Sequence, residues 1–325
     1  MFSKKVKLGA LVLALMMLTA TAFAAADTYP SKPIKLLCGY AAGGSSDILS
    51  RILAENLSTR LGQPVVVENI TGGGGWVLWN EIIKNTAPDG YTFCLVNTPN
   101  YNLGSYDPVN PREYDYLSID LLANQVSDYN VIAIRPDETR YSDLASLIEY
   151  AKSNVLLTGA SAVGIMNDDS TIVERLNKDH GTQIQTVTTT GAKDNETFLL
   201  NKSADLLVGN VSDVLTGMKS GTLKVLCVFA PERVSLIADV ATCEELGFGS
   251  IYGGSSRGYG LPKGVDPTIR EKLYLALKDS INAPETIKAL EDIGAVTNFV
   301  GIEDYANFIK SETETTLAIF GIEKK

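Results

Sequence analysis

The strongest constraint in this chain is a strand-length apolar run, Ile34-Lys35-Leu36-Leu37-Cys38. It gives way to Gly43-Gly44-Ser45-Ser46-Asp47 and then to Ile48, Leu49, Ile52, Leu53, Leu57 and Leu61 at helical spacing. Apolar strand, glycine turn and amphipathic helix form the repeating unit of a doubly wound α/β fold, in which ligands bind at the carboxyl ends of the strands. The alternation continues along the chain. Strand-like runs cover 64–68, 91–96, 131–135, 155–158, 183–188, 205–208 and 223–229, and helical spacing covers 76–84 and 144–152. A second glycine-rich segment spans 253–260. Asp266-Pro267 then reads as N-cap and first residue of a helix with Ile269, Leu273, Leu277 and Ile281 on one face. The middle of the chain supports a sheet of its own, so two lobes are expected. Residues 27–127 and 253–325 form lobe 1 and 128–252 form lobe 2, with Val131–Arg135 near the first crossing between them.

The amino end reads as an export signal. Lys4, Lys5 and Lys7 precede an apolar run from Leu8 to Leu18, and small residues follow, which predicts cleavage after Ala24 or Ala26 and a periplasmic mature protein. That run is shorter than the roughly 20 residues needed to span a bilayer, so residues 1–26 are set aside from the fold. Removing the three lysines takes the formal charge from −10 to −13. Such a surface repels phosphate backbones, and nucleic acid is not an expected partner.

Cys38, Cys94, Cys227 and Cys243 lack CxxC spacing. Buried free thiols are expected, with a Cys227–Cys243 bridge as the alternative in an oxidising compartment. The single histidine, His180, has no neighbours at metal-ligand spacing and fits a role near a helix end.

Candidate binding residues fall after the strands. Tyr40, Ala42, Gly43, Ser45, Ser46 and Asp47 join the first strand to its helix, where open amides and hydroxyls suit an anion; the other reading is that Ser45 or Ser46 merely caps the helix. Asp47 would repel a carboxylate unless it accepts hydrogen bonds from a water, a ligand ammonium or a ligand hydroxyl. Gly74 and Gly75 allow close backbone approach, and Trp76 either stacks on the ligand or anchors its helix in the core. Asn97, just past the third strand, is grouped with this wall. On the opposite side, Ser161, Ala162, Thr190, Gly191, Asn210 and Asp213 lie in small polar turns after strands. Asp168 and Asp169 are expected to complement a helix amino terminus.

Catalytic patterns are scarce. Gly254-Ser255-Ser256-Arg257-Gly258 fits GxSxG by letters, but no apolar strand precedes it and no helix follows, so a secreted serine hydrolase using Ser256 stands only as an alternative. No P-loop, GxGxxG or HExxH pattern occurs, and no cofactor or metal is expected.

At these residues the chain resembles the periplasmic receptors of the tripartite tricarboxylate transporter family. The likeness is carried by Tyr29-Pro30-Ser31-Lys32-Pro33-Ile34, Tyr40-Ala41-Ala42-Gly43-Gly44-Ser45-Ser46-Asp47, Leu61-Gly62-Gln63-Pro64-Val65-Val66-Val67-Glu68-Asn69 and Ala87-Pro88-Asp89-Gly90-Tyr91-Thr92, in order. The resemblance implies a type II periplasmic-binding-protein fold that closes two lobes on a small carboxylate, held by loop amides, hydroxyls and water. It also implies membrane transporter subunits as partners, or alternatively a signalling system, and a monomer is expected. Val187-Thr188-Thr189-Thr190-Gly191 and Ser161–Asp169 depart from the family pattern, and Trp76 stands where a smaller polar residue is usual. The distal half of the pocket is therefore expected to differ.

Overall fold

A computed structural model of the chain describes residues 29–108, 110–161, 166–189 and 192–323. The export segment, with the cleavage points after Ala24 or Ala26, lies outside the described residues. In chain order the elements are β1 (Ile34–Cys38), α1 (Ser45–Leu61), β2 (Val65–Asn69), α2 (Trp76–Lys84), β3 (Thr92–Thr98), α3 (Asn100–Leu103), β4 (Asp120–Ile134), α4 (Leu144–Ser153) and β5 (Leu156–Ser161). They continue through α5 (Asp168–His180), β6 (Ile184–Thr189), α6 (Ala192–Leu200), β7 (Leu206–Asn210), α7 (Val211–Ser220), β8 (Lys224–Val228), β9 (Gly254–Leu261), α8 (Pro267–Ile281), α9 (Pro284–Asp292), β10 (Thr297–Val300) and α10 (Ile302–Phe320).

The strands form one curled sheet in the order β2-β1-β3-β9-β4-β7-β5-β6, with β8 and β10 also pairing to β4. β1 runs parallel to β2 and β3, which requires helical crossovers, and α1 and α2 supply them. β4 is the long shared element: residues 120–129 pair with β9, whereas residues 130–134 pair with β7 and β8. Helices cover both faces. Leu53, Leu57, Leu273 and Leu277 from α1 and α8 pack on Leu36 and Phe93, while Trp79, Tyr305 and Ile309 from α2 and α10 pack on Cys94 and Val96 of the other face. Beyond the crossing the period-2 rule holds again, with Ile132 facing the cluster of Leu147 and Leu176 and Val131 facing that of Val214 and Leu223.

Two elements differ from expectation. Only 131–135 reads as strand in the sequence, because the earlier part of β4 carries Asn124, Gln125, Ser127, Asp128 and Asn130; all five are nevertheless buried. The segment 253–260, read simply as glycine-rich, is largely strand β9. Its glycines serve packing, since a Cβ at Gly258 would sit 2.4 Å from the Ala123 carbonyl oxygen. All four cysteines are buried and free, and no Cys227–Cys243 bridge forms. His180 ends α5, where its Nε2 meets the Phe248 carbonyl at 3.0 Å.

Candidate ligand site

The loops after β1 and β2 converge on one surface, and Tyr40 ties them together. Its hydroxyl donates to the Gly74 carbonyl (3.2 Å) and accepts from Asn100 Nδ2 (3.2 Å). Burial pushes that hydroxyl up to about 12, so it stays a neutral donor. The two backbones approach closely because Gly39 has no Cβ; one placed there would lie 2.9 Å from Gly75 Cα. Gly44 and Gly75 are the N-caps of α1 and α2, and neither helix start carries a side-chain cap. The capping role weighed for Ser45 and Ser46 falls away, since both lie inside α1. The first-turn amides of α1, partly positive, open onto a face where Ala42, Gly43 and Ser45 are exposed, whereas in α2 the Trp76 and Val77 amides donate back to the Gly73 and Gly72 carbonyls. Uncapped helix amides of this kind are chemically suited to an anion.

Asp47 is held by the chain itself. Arg51 donates Nε and Nη2 to its two oxygens at 2.9 Å each, Asn69 Nδ2 donates at 2.8 Å and the Gly43 amide at 2.9 Å. The Arg51 bonds hold the carboxyl down at about 2 against the opposing effect of its burial. The acid repels no ligand outright, because a guanidinium neutralises it and its oxygens already have donors.

Trp76 does not offer a stacking surface. Its indole is 3% exposed, donates Nε1 to the Asn100 carbonyl at 3.0 Å and packs against Trp79 and Tyr101. The expectation of a ligand-stacking Trp76 is thus corrected to a core anchor beneath the glycine loop. The apolar ring gains more from burial against two aromatics than from a wet cleft.

Across from this wall, β7 ends at Asn210, the N-cap of α7. Asn210 Nδ2 donates to the Asp128 carbonyl and to Asp168 Oδ2, both at 2.9 Å, and Ser255 Oγ donates to its Oδ1 at 3.3 Å. Asp213 accepts from the Asn210 amide at 3.1 Å. Burial, with Asp128 nearby, pushes the Asp213 carboxyl up to about 7. Both residues therefore brace the junction through bonds within the chain. Ser161 ends β5 opposite Thr189 of β6. Ala162, Thr190 and Gly191 lie outside the described residues. Asp168 and Asp169 occupy the first turn of α5, and Asp169 accepts from Asn130 Nδ2 at 3.1 Å.

Sequence reading missed the floor between the two sides. Arg257 of β9 stands opposite Asn97 of β3 and Val126 of β4 in the sheet register, so its side chain shares a face with theirs. It is 7% exposed, and its Nη1 reaches Asp128 Oδ2 at 3.4 Å. Asp128 meanwhile accepts from the Ser212 amide (3.2 Å) and Ser212 Oγ (2.5 Å) at the start of α7. Burial outweighs these partners and raises the Asp128 carboxyl. Arg257 Nε and Asn97 Oδ1 are buried without hydrogen-bond partners. An arginine inside a GxSxG-like, glycine-rich string gave no sign of being a strand residue, which is why it passed unnoticed.

A cavity of about 410 Å³ lies beside the crossing strands, lined by Ser127 and Ser256 together with Asp168 and Arg175 of α5 and Ser311 and Glu312 of α10. None of the glycine-loop residues lines it. Its lining holds the acids Asp128, Asp168 and Glu312 together with the cation Arg175. Ser256 sits inside β9 and is 2% exposed, with its Oγ 3.1 Å from Ser127 Oγ. Because that serine lies mid-strand and His180 is engaged at Phe248, no nucleophile elbow or serine–histidine pair exists here. Among the described residues no group of three or more His, Cys, Asp or Glu is placed to hold a metal ion.

Two α/β lobes joined through β4, with loop amides gathered at strand ends, have the architecture of two-lobed periplasmic binding proteins. Residues 49–323 match the family described as the tripartite tricarboxylate transporter family receptor, TctC, and the chain belongs to it. A Cupriavidus necator protein, the UPF0065 protein in the gbd 5' region, is 32% identical over 323 residues, covering 98% of this chain and 95% of its own. Two solved Rhodopseudomonas palustris proteins share the fold. One, determined with adipate, has a TM-score of 0.79 at 22% identity; the other, MatC with bound malate, has 0.74 at 20%. Each comparison covers 90% of this chain and 99% of the other. The family is one of periplasmic solute-binding receptors, and no helix among the described residues is long and apolar enough to cross a membrane.

Proposed function

We propose that this protein is an exported receptor that binds a small carboxylate between its lobes and delivers it to the membrane subunits of a tripartite tricarboxylate transporter. The observation that carries this reading is the start of α1 at Gly44, which has no side-chain cap and is tied through Tyr40 to the glycine loop at Gly74. One carboxylate docks on the first-turn amides of α1, at Ser45 and Ser46, with Gly43, Gly74 and Gly75 beside it. Lobe 2, residues 128–252, closes over its distal end. Closure is what the ligand selects, and the closed surface is what the transporter reads. The adipate and malate complexes of the two R. palustris proteins agree with this ligand class. A few charge-assisted bonds of about 1.5–3 kcal/mol each support affinity on the order of 1 μM after ordering costs.

A thermal-shift screen of the mature protein against mono-, di- and tricarboxylates, with amino acids and neutral sugars alongside, tests this. A selective rise in Tm with one or a few acids is expected by mass action. Stabilisation by sugars alone would refute the carboxylate reading.

A further inference from the structure

We infer that Arg257 and Asn97 form a specificity floor that selects carboxylates carrying a hydrogen-bond donor on the carbon next to the carboxyl group, that is, hydroxy or amino acids. The inference rests on the carboxylate reading above and deepens it. Three observations set the pair beside the two loops proposed to hold the ligand. The two residues are opposed in the β3–β9 register, which sets their side chains side by side on one face, about 5 Å apart at Cβ. Each is more than nine-tenths buried and yet has an atom without a partner, Nε on Arg257 and Oδ1 on Asn97. The Arg257 charge and the Asn97 side chain both act on the Tyr40 hydroxyl, which itself ties the two anion-binding loops together.

The unpaired atoms are complementary in kind. Arg257 Nε can only donate, and Asn97 Oδ1 can only accept. A plain carboxylate satisfies the guanidinium and leaves the Asn97 oxygen buried and bare. A carboxylate with an adjacent O–H or N–H satisfies both atoms from one end of the molecule. Asp128 does not fill the first role, because it reaches Arg257 only through Nη1 at 3.4 Å and spends its shorter bonds on Ser212. Sites built to bond a ligand hydroxyl reject the analogue that lacks it, since their own polar group is then stranded.

Calorimetric titration of matched acids tests the inference: succinate against malate and aspartate, propionate against lactate and alanine, phenylacetate against mandelate. The wild-type protein is expected to bind the substituted member of at least one set about tenfold or more tightly than its parent, and the malate and aspartate arms separate hydroxyl from ammonium. Asn97→Ala should bring the two members together by weakening only the substituted acid. Arg257→Gln should weaken both about tenfold or more. Because that change leaves Asp128 without its cation, the Asp128→Asn/Arg257→Gln double variant is measured alongside, with its Tm, and should show the same loss. Equal binding of both members by the wild type, or unchanged affinity in a folded Arg257→Gln or double variant, overturns the inference while leaving the carboxylate receptor standing. Absence of binding by every acid overturns both.

Discussion

Arg51 grips Asp47 one helical turn away through two parallel N–H···O bonds, both 2.9 Å, so the acid nearest the open amides of α1 is neutralised on the spot. The pair explains how a glycine loop ending in aspartate can face an anion. Asp47 also takes the Gly43 amide and Asn69 Nδ2, which pins the loop to the end of β2.

Arg51→Ala should therefore uncover a negative charge beside the proposed carboxylate site. Carboxylate affinity is expected to fall about three- to tenfold in a calorimetric titration at low salt, and Asp47→Asn/Arg51→Ala should recover part of it. The Asp47 carboxyl stands at about 2 in the fold, below its unfolded value of about 4. Its contribution to stability is present above about pH 4 and is lost as pH falls through about 2.

Glu312 behaves with the opposite sign. Burial pushes its carboxyl up to about 8, while Thr98 Oγ1 donates to it at 3.1 Å. The folded state then binds a proton that the unfolded state has released above about pH 4.3, so stability should decline as pH rises from about 5 to 8. Tm measured across that range should fall for the wild type and fall less for Glu312→Gln. Asp213, pushed up to about 7, leaves a residual slope in the variant. An identical pH profile for the two proteins would remove Glu312 from this role.

Trp76→Ala should act on stability, because the indole lies among Trp79, Tyr101 and the backbone of Gly104. A loss of about 3–5 kcal/mol is expected from a large ring deleted in the core, read as a lower urea midpoint. Wild-type stability with lost affinity for aromatic acids would restore the stacking role.

The parts legible in the sequence are those where local and tertiary preferences agree. β1 and α1 are such a case: an apolar run, a glycine turn and a helical stripe of Leu49, Leu53 and Leu57, all buried. Asp266 likewise accepts from the Thr268 amide at 2.8 Å, as its place before Pro267 suggests. The junction was illegible because polar residues there are buried against one another. Gln125 accepts from the Tyr259 hydroxyl at 2.6 Å inside the sheet, and Asn210 joins β4 to α5. No periodicity announces a strand whose burial depends on partners more than 80 residues away. The same mismatch concealed Arg257, the residue with most to say about ligand choice.

The most direct test of the central claim is a crystal structure of the mature protein with the acid that stabilises it most. The expected result places one ligand carboxylate within hydrogen-bond distance of the Ser45 and Ser46 amides in the first turn of α1, with the glycine loop at Gly74–Gly75 beside it. A carboxylate seated instead in the cavity between α5 and α10, among Asp168, Arg175 and Glu312, would contradict the assignment of the site.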